Sequence, residues 1–288
     1  MNETATMPLS LRPLSPLIGV EIRGVDLSSA LEEPVFAAVR AAWLMHKVVL
    51  FRGQRIDEED MLRFGGRLGE LQVHVRNDTQ STRHREVLLV TNKKEGGKAI
   101  GVLGDAEAPW HVDQIYMQYP TFGTMLYGVT IPPEGGNTHV CDLKTAYDRL
   151  PDDLKKRIAG KRAISSAAHF NRTTNAGMTK EQLDRVPDVS HPLVRTHPVT
   201  GTKSLFMSHA HTIRIEDCPD AESGELLAKL RMHTVKPEFI YEHRWQVGDV
   251  LMWDNTQTMH RRDPFDPEQI RLLKRISFMY PPDQRTPV

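Results

Sequence analysis

Two fragments constrain this chain more than anything else in it: Trp110-His111-Val112-Asp113 and, far downstream, Trp253-Asp254-Asn255 running into Met259-His260. Two histidines and one carboxylate form the set that takes one face of a non-haem Fe(II) and leaves the opposite face open. To share an ion, the two fragments must meet in space, and extended backbone suits the first of them. On a strand, residues i and i+2 point to the same side, so His111 and Asp113 both reach one point. On a helix they would diverge by about 200°. The apolar run Val250-Leu251-Met252-Trp253 follows the turn signal Val247-Gly248-Asp249 and reads as a strand leading to His260. A His-x-Asp step alone is a weak signal in a chain with 13 His. Arg271 and Arg275 strengthen it, because a guanidinium binds carboxylates in fixed, bidentate geometry. On a strand these two arginines would share a face; the bland alternative is a pair of solvated surface residues.

The chain has 288 residues, enough for one large domain or two small ones with a substantial core. No composition shift marks a second domain. The expectation is a loose arm over residues 1–16, which hold three Pro, and a single domain over 17–288. Lys+Arg and Asp+Glu are each 37, and no long basic run occurs, which argues against a nucleic-acid partner. The only two Cys, Cys141 and Cys218, have no metal or redox spacing, so a reducing compartment fits. Nothing approaches the roughly 18 apolar residues of a membrane span, and the first residues carry no signal-peptide core. The expected setting is cytoplasmic, with no membrane partner.

Alternating polarity predicts a strand at 19–25. Ser29 and Glu32 have capping-box spacing ahead of a helix with Pro34 in its first turn and Val35, Phe36, Val39, Ala42 and Trp43 as its stripe. Lys47–Phe51 reads as a short buried strand, and Asp57 as the start of a second helix. From 76 to 108 the pattern weakens around one strand at 86–91, giving either a lid over the site or a solvated connection. Strand-like runs follow at 124–129, 138–141, 204–207, 239–244, 250–253 and 275–280, with helices at roughly 143–160 and 220–234. Many short strands around a metal motif predict a mainly β fold with flanking helices: a double-stranded β-helix, or jelly-roll, of cupin-like form.

Further motifs carry a resemblance over nearly the whole chain. They are Pro132-Pro133-Glu134-Gly135-Gly136-Asn137-Thr138, Ala146-Tyr147, the stretch His191 to Pro198, and Arg271-Leu272-Leu273-Lys274-Arg275. With the two opening fragments, they make the chain resemble the taurine dioxygenase/2,4-dichlorophenoxyacetate dioxygenase family of Fe(II)- and 2-oxoglutarate-dependent oxygenases. The stretch Tyr241 to Asp249 resembles the herbicide-degrading branch most. The resemblance implies His111, Asp113 and His260 as iron ligands, and Thr138 with Arg271 as holders of the distal carboxylate of 2-oxoglutarate. It implies Arg275 as the grip on an anionic primary substrate, and His74 and His211 as residues beside that substrate.

The implied reaction consumes O₂ and 2-oxoglutarate, releases succinate and CO₂, and hydroxylates a C–H bond of a small organic acid. Next to an ether oxygen or sulfonate, the product would collapse with bond cleavage. Relatives of this kind are commonly homo-oligomers. One departure stands out: Asp113 is followed by Gln114-Ile115-Tyr116, where many relatives carry Ser or Thr next to the carboxylate, so no relative's substrate transfers directly. Competing readings are a His₂-carboxylate zinc hydrolase, which leaves Thr138 and Arg271 unexplained, a nucleic-acid demethylase, and a non-catalytic binder on a decayed oxygenase fold.

Overall fold

The computed structural model describes residues 9–76 and 79–281. Two sheets face each other. The larger has eight strands in the order Ser10–Pro13, Val20–Arg23, Val48–Phe51, Val250–Asp254, Gly123–Thr130, Leu272–Met279 and Glu70–Leu71, with Leu88–Thr91 also paired to Leu272–Met279. The smaller runs Ile240–His243, Thr138–Asp142, Thr258–Arg262, Ala108–His111. Both are antiparallel except where Val20–Arg23 meets Val48–Phe51. This is the double-stranded β-helix the sequence predicts.

Three buried layers follow from the pleat. Val48, Leu50, Leu126, Leu251, Trp253 and Leu273 point inward from the large sheet and meet Val140 and Tyr241 of the small one. Their chain neighbours Val49, Phe51, Met125, Met252 and Ile276 point outward, against Phe36, Trp43, Met61 and Phe64 of the helices Glu33–His46 and Glu58–Leu68. Burial on both faces is why Val48–Phe51 reads as a continuous apolar run instead of alternating. On the far side of the small sheet, Cys141 and Met259 pack against Leu226 and Leu230 of the helix Asp220–Thr234.

Several expectations change. Residues 1–8 of the expected arm lie outside the described residues, but Ser10–Pro13 is a strand, paired antiparallel to Val20–Arg23. The arm therefore does not run loose to residue 16; edge pairing overrides its Pro content, and Pro on a sheet edge costs no ladder bond. The helix Glu33–His46 has no side-chain cap, so the Ser29/Glu32 capping box is not formed. Asp57 does cap its helix, in a reciprocal pair with Asp60. Helix 143–160 is two helices, Leu143–Asp148 and Asp152–Ile158, separated at Pro151. The sheet of Arg162–Ser165 between Val189–Pro192 and Thr212–Ile215, and the helix Ala167–Thr174, are additions to the expected list.

Candidate active site

The small sheet sets the two histidines. His111 is the last residue of Ala108–His111, and its Cα partner on the antiparallel strand Thr258–Arg262 is His260. Directly opposed residues on one face bring their side chains together, and the imidazole centroids are 4.1 Å apart. His111 Nδ1 lies 2.7 Å from the Pro109 carbonyl, which accepts its hydrogen, so Nε2 keeps its lone pair.

Asp113 corrects the sequence argument. The strand ends at His111, and Asp113 lies in the turn that follows it. Its carboxylate reaches the site because other residues hold it, not because i and i+2 share a strand face. Thr124 Oγ1 donates to Asp113 Oδ2 at 2.7 Å, Asn255 Nδ2 donates to Thr124 Oγ1 at 2.9 Å, and Trp253 Nε1 donates to Asn255 Oδ1 at 3.0 Å. Trp253 and Asn255 are thus the far end of a relay that orients the carboxylate. Asp254, between them, points elsewhere and accepts from His197, Thr256 and Gln257.

The donor atoms fit one cation. His111 Nε2 and His260 Nε2 stand 3.8 and 3.9 Å from the Asp113 oxygens, too far for hydrogen bonds, and the three ligand atoms all lie within 4.8 Å of one another. Burial pushes both imidazoles below their ordinary value, toward the neutral form that binds metal. Burial alone would raise the Asp113 carboxyl, but the Arg275 guanidinium and the Thr124 hydroxyl beside it hold it well below the usual range. A neutral pair of nitrogens and one anionic oxygen, all turned inward, is the ligand set of an Fe(II) face.

Above this cluster lies a cavity of about 400 Å³. His74, His211 and Arg275 all line it, as do His111 and Asp113. Its apolar wall comes from Leu88, Val102, Leu103, Tyr116, Phe170 and Met178. His211 stacks on Phe170 at 4.4 Å and pairs through Nδ1 with Ser208 Oγ at 2.9 Å; burial, then the neighbouring His111, pushes it down to about 3. It is a neutral, fixed wall. Arg275 donates from Nη1 to Asp113 Oδ1 at 3.0 Å, so it supports the carboxylate as well as facing the cavity.

Thr138 and Arg271 converge elsewhere, on Trp245. Trp245 Nε1 donates to Thr138 Oγ1 at 3.0 Å, and the Arg271 guanidinium lies 5.9 Å from the same ring. Arg271 is 2% exposed. No carboxylate among the described residues pairs with it, and its Nε has no hydrogen-bond partner. Burial, then the nearby Arg262, pushes it down to about 9. A buried, uncompensated guanidinium is costly unless an anion joins it, which is what a distal carboxylate would do. Gly136, with φ +64°, leaves it room: a Cβ there would sit 2.9 Å from Arg271 Nε.

Arg271 immediately precedes the strand Leu272–Met279, and Arg271, Leu273 and Arg275 are buried while Leu272 and Lys274 are partly exposed, so the two arginines keep the alternation of one face. The register shift between Leu272 and Leu273 places its extra residue, Val129, on the neighbouring strand Gly123–Thr130. The residues missed in the sequence are Thr124, Trp245, Arg262 and Tyr116. Arg262 donates to the carbonyls of Gly104 and Ala106 and so ties the 101–109 cavity wall to the strand of His260. Its only sequence signal was its place two residues after that ligand.

A jelly-roll with two His and one Asp at the open end of its small sheet defines a class: the mononuclear non-haem metal enzymes of the cupin-like fold. The chain belongs to the taurine catabolism dioxygenase TauD, TfdA family, whose model matches residues 10–277. It is 34% identical over 281 residues to the alpha-ketoglutarate-dependent 2,4-dichlorophenoxyacetate dioxygenase of Burkholderia sp. (strain RASC), covering 94% of each chain. It is 30% identical to the (S)-phenoxypropionate/alpha-ketoglutarate-dioxygenase of Sphingobium herbicidovorans, over 91% of this chain and 92% of that one. The solved structure of AAD-2 in complex with Mn(II) and N-oxalylglycine superposes with a TM-score of 0.85 at 29% identity, covering 96% of this chain and 99% of that one. The protein is accordingly a 2-oxoglutarate-dependent non-haem iron dioxygenase, which uses Fe(II), 2-oxoglutarate and O₂ on a small organic substrate. The zinc-hydrolase reading does not account for these relatives. Among the described residues no helix is long and apolar enough to cross a membrane.

Proposed function

We propose that the enzyme hydroxylates a small organic acid of the aryloxyalkanoate type at the carbon beside the ether oxygen, so that the product collapses and the ether breaks. In this reading His111, Asp113 and His260 hold Fe(II), and Thr138 with Arg271 hold the distal carboxylate of 2-oxoglutarate. Iron, when bound, supplies the activation of O₂. The protein supplies position and electrostatics.

The observation that carries the reading is a cation at the floor of an apolar cavity. Arg275 is 8% exposed, lines the cavity, and spends one donor on Asp113. A guanidinium has five N–H groups, so others remain for a substrate carboxylate. Phe170, Tyr116 and Val102 offer the aryl part an apolar wall, and His74 and His211 border it. A carboxylate fixed at Arg275 sets which C–H faces the metal, and orientation of this kind supplies several kcal/mol of barrier lowering, up to about 7–11 in favourable cases. The relatives that act on 2,4-dichlorophenoxyacetate and (S)-phenoxypropionate support the same choice.

The test compares phenoxyacetate with its methyl ester. The acid should be turned over and the ester should lose most of kcat/KM while still triggering uncoupled loss of 2-oxoglutarate. Equal turnover of acid and ester would overturn the anion reading.

A further inference from the structure

Tyr116 gives the cavity more than the apolar face of its ring. The ring body is set in protein: it packs with Ala167 and Val186 and lies 5.3 Å from the His211 ring. The turn that carries it is tied down on both sides of the residue. Met117 N donates to the Gln114 carbonyl at 2.8 Å, and His191 Nε2 donates to the Ile115 carbonyl at 2.6 Å. Tyr116 is 7% exposed and lines the cavity together with Arg275, Asp113 and Arg76. Those three are also the charges that act on its hydroxyl, Arg275 most strongly. The tip of the side chain is therefore at the charged end of the cavity, while its body belongs to the apolar wall.

The hydroxyl is unanswered but not sealed. It makes no hydrogen bond to any described residue, yet its oxygen keeps accessible surface. Asp113, the nearest acid in sequence, accepts from Arg275 and Thr124 instead. In an open cavity solvent serves such a group at little cost. A substrate that fills the cavity expels the solvent, and must then supply the partner or strand the hydroxyl. Burial raises the phenol to about 12, so it enters that exchange as a neutral O–H donor. What it requires is an acceptor. Arg275 spends Nη1 on Asp113 and has further N–H groups to offer. A carboxylate on one of those would lie beside the Tyr116 hydroxyl, where a charge-assisted bond is about twice as strong as a neutral one.

We infer that Tyr116 is a substrate-binding residue whose hydroxyl donates to the carboxylate held by Arg275, so that guanidinium and phenol grip the anion from two directions. The inference rests on the reading of Arg275 as the anchor of the primary substrate. A single contact leaves a carboxylate free to swing. Two contacts fix its plane, and with it the direction of the adjacent CH₂, which decides which hydrogen faces the metal centre. An analogue without the anion strands the hydroxyl, so discrimination comes from both a gained bond and an avoided penalty.

Tyr116→Phe removes the hydroxyl and keeps the ring. Dissociation constants would be measured by calorimetry on enzyme loaded with Fe(II) and 2-oxoglutarate, without O₂. The ligands are phenoxyacetate, its methyl ester, and 3-phenylpropionate, which replaces the ether oxygen by CH₂ and keeps the acid. The variant should bind both acids about tenfold or more weakly than wild type does, by similar factors, and the ester with a much smaller change. Affinity for 2-oxoglutarate should hold, which also shows that the variant folds. A loss confined to phenoxyacetate would overturn the inference by making the ether oxygen the acceptor. An equal loss with all three ligands would overturn it by making the role one of packing. Equal binding of acid and ester by wild type would overturn the anion reading of Arg275 and this inference with it. An acid preference in wild type that Tyr116→Phe leaves intact overturns this inference alone, and leaves the hydroxyl to solvent.

Discussion

Arg275 and Asp113 provide a sharp test of how the centre is held before any metal enters. They are 8% and 3% exposed, with Nη1 and Oδ1 3.0 Å apart. At an effective dielectric of about 20, unit charges at that separation attract by about 5–6 kcal/mol. Desolvating both groups offsets much of this, so the pair as a whole adds little relative to an apolar pair of the same shape. Removing one partner is different. Arg275→Met leaves the Asp113 carboxylate buried with the Thr124 hydroxyl and two neutral imidazoles for company, and breaking a buried pair in this way costs about 3–5 kcal/mol.

Urea unfolding of chelator-treated protein at pH 7 would measure that loss for Arg275→Met, Asp113→Asn and the double variant. The double variant should recover about 1–3 kcal/mol relative to the sum of the singles, because neither leaves a charge stranded in it. A divalent cation meets the carboxylate by itself, so the Arg275→Met penalty should shrink when the metal is restored. The sign of the pH effect follows from the lowered Asp113 carboxyl. Its stabilising contribution is complete above the unfolded carboxylate pKa and is lost as pH falls toward the folded value; without Arg275 the loss should begin at higher pH. Additivity of the two singles within about 0.5 kcal/mol would refute the coupling on which this argument depends.

Two further outcomes follow from particular contacts. Gly136→Ala should raise the KM for 2-oxoglutarate several-fold with a smaller change in primary-substrate affinity, because its Cβ would press on Arg271 at 2.9 Å from a residue already at φ +64°; an unchanged co-substrate KM would argue against Arg271 as the anchor. Burial pushes His191 down to about 4, its Nε2 donates to the Ile115 carbonyl at 2.6 Å, and its Nδ1 has no hydrogen-bond partner among the described residues to receive a second proton. Its contribution is therefore complete above the unfolded value of about 6.5 and is lost as pH falls toward 4, by about 3 kcal/mol at most. His191→Gln keeps a donor without the titration, so its stability should fall less between pH 6.5 and 4 than wild type, and parallel profiles would refute this.

How much of this was legible beforehand depends on the distance over which each feature is determined. The apolar run 250–253, the Asp57 cap and the helix 220–234 are set by local pattern, and the structure follows them closely. The ligand trio was legible as residue types, but the reason given for one of them was wrong. Asp113 is placed by Thr124, Asn255 and Trp253, contacts between segments that no local periodicity announces. Trp245 was read only as part of a family-like stretch, since an indole that serves a threonine hydroxyl on another strand looks in sequence like any core aromatic.

The two arginines show why spacing alone does not tell one anchor from two. Arg271, Leu273 and Arg275 alternate along one extended segment, whose pairing with Leu88–Thr91 stays in register from Leu272 to Arg275. The register shift on its other side places the extra residue, Val129, on the neighbouring strand. Residues four apart on such a segment are separated by roughly 13 Å, too far to grip one carboxylate together. Arg271 meets Trp245 and Gly136 and has no acidic partner among the described residues, whereas Arg275 meets Asp113 beside the cavity. In the reading proposed above, the first suits the co-substrate carboxylate and the second the primary substrate. Each anion would then have its own cation, so side chains lining the cavity could change without disturbing the co-substrate anchor.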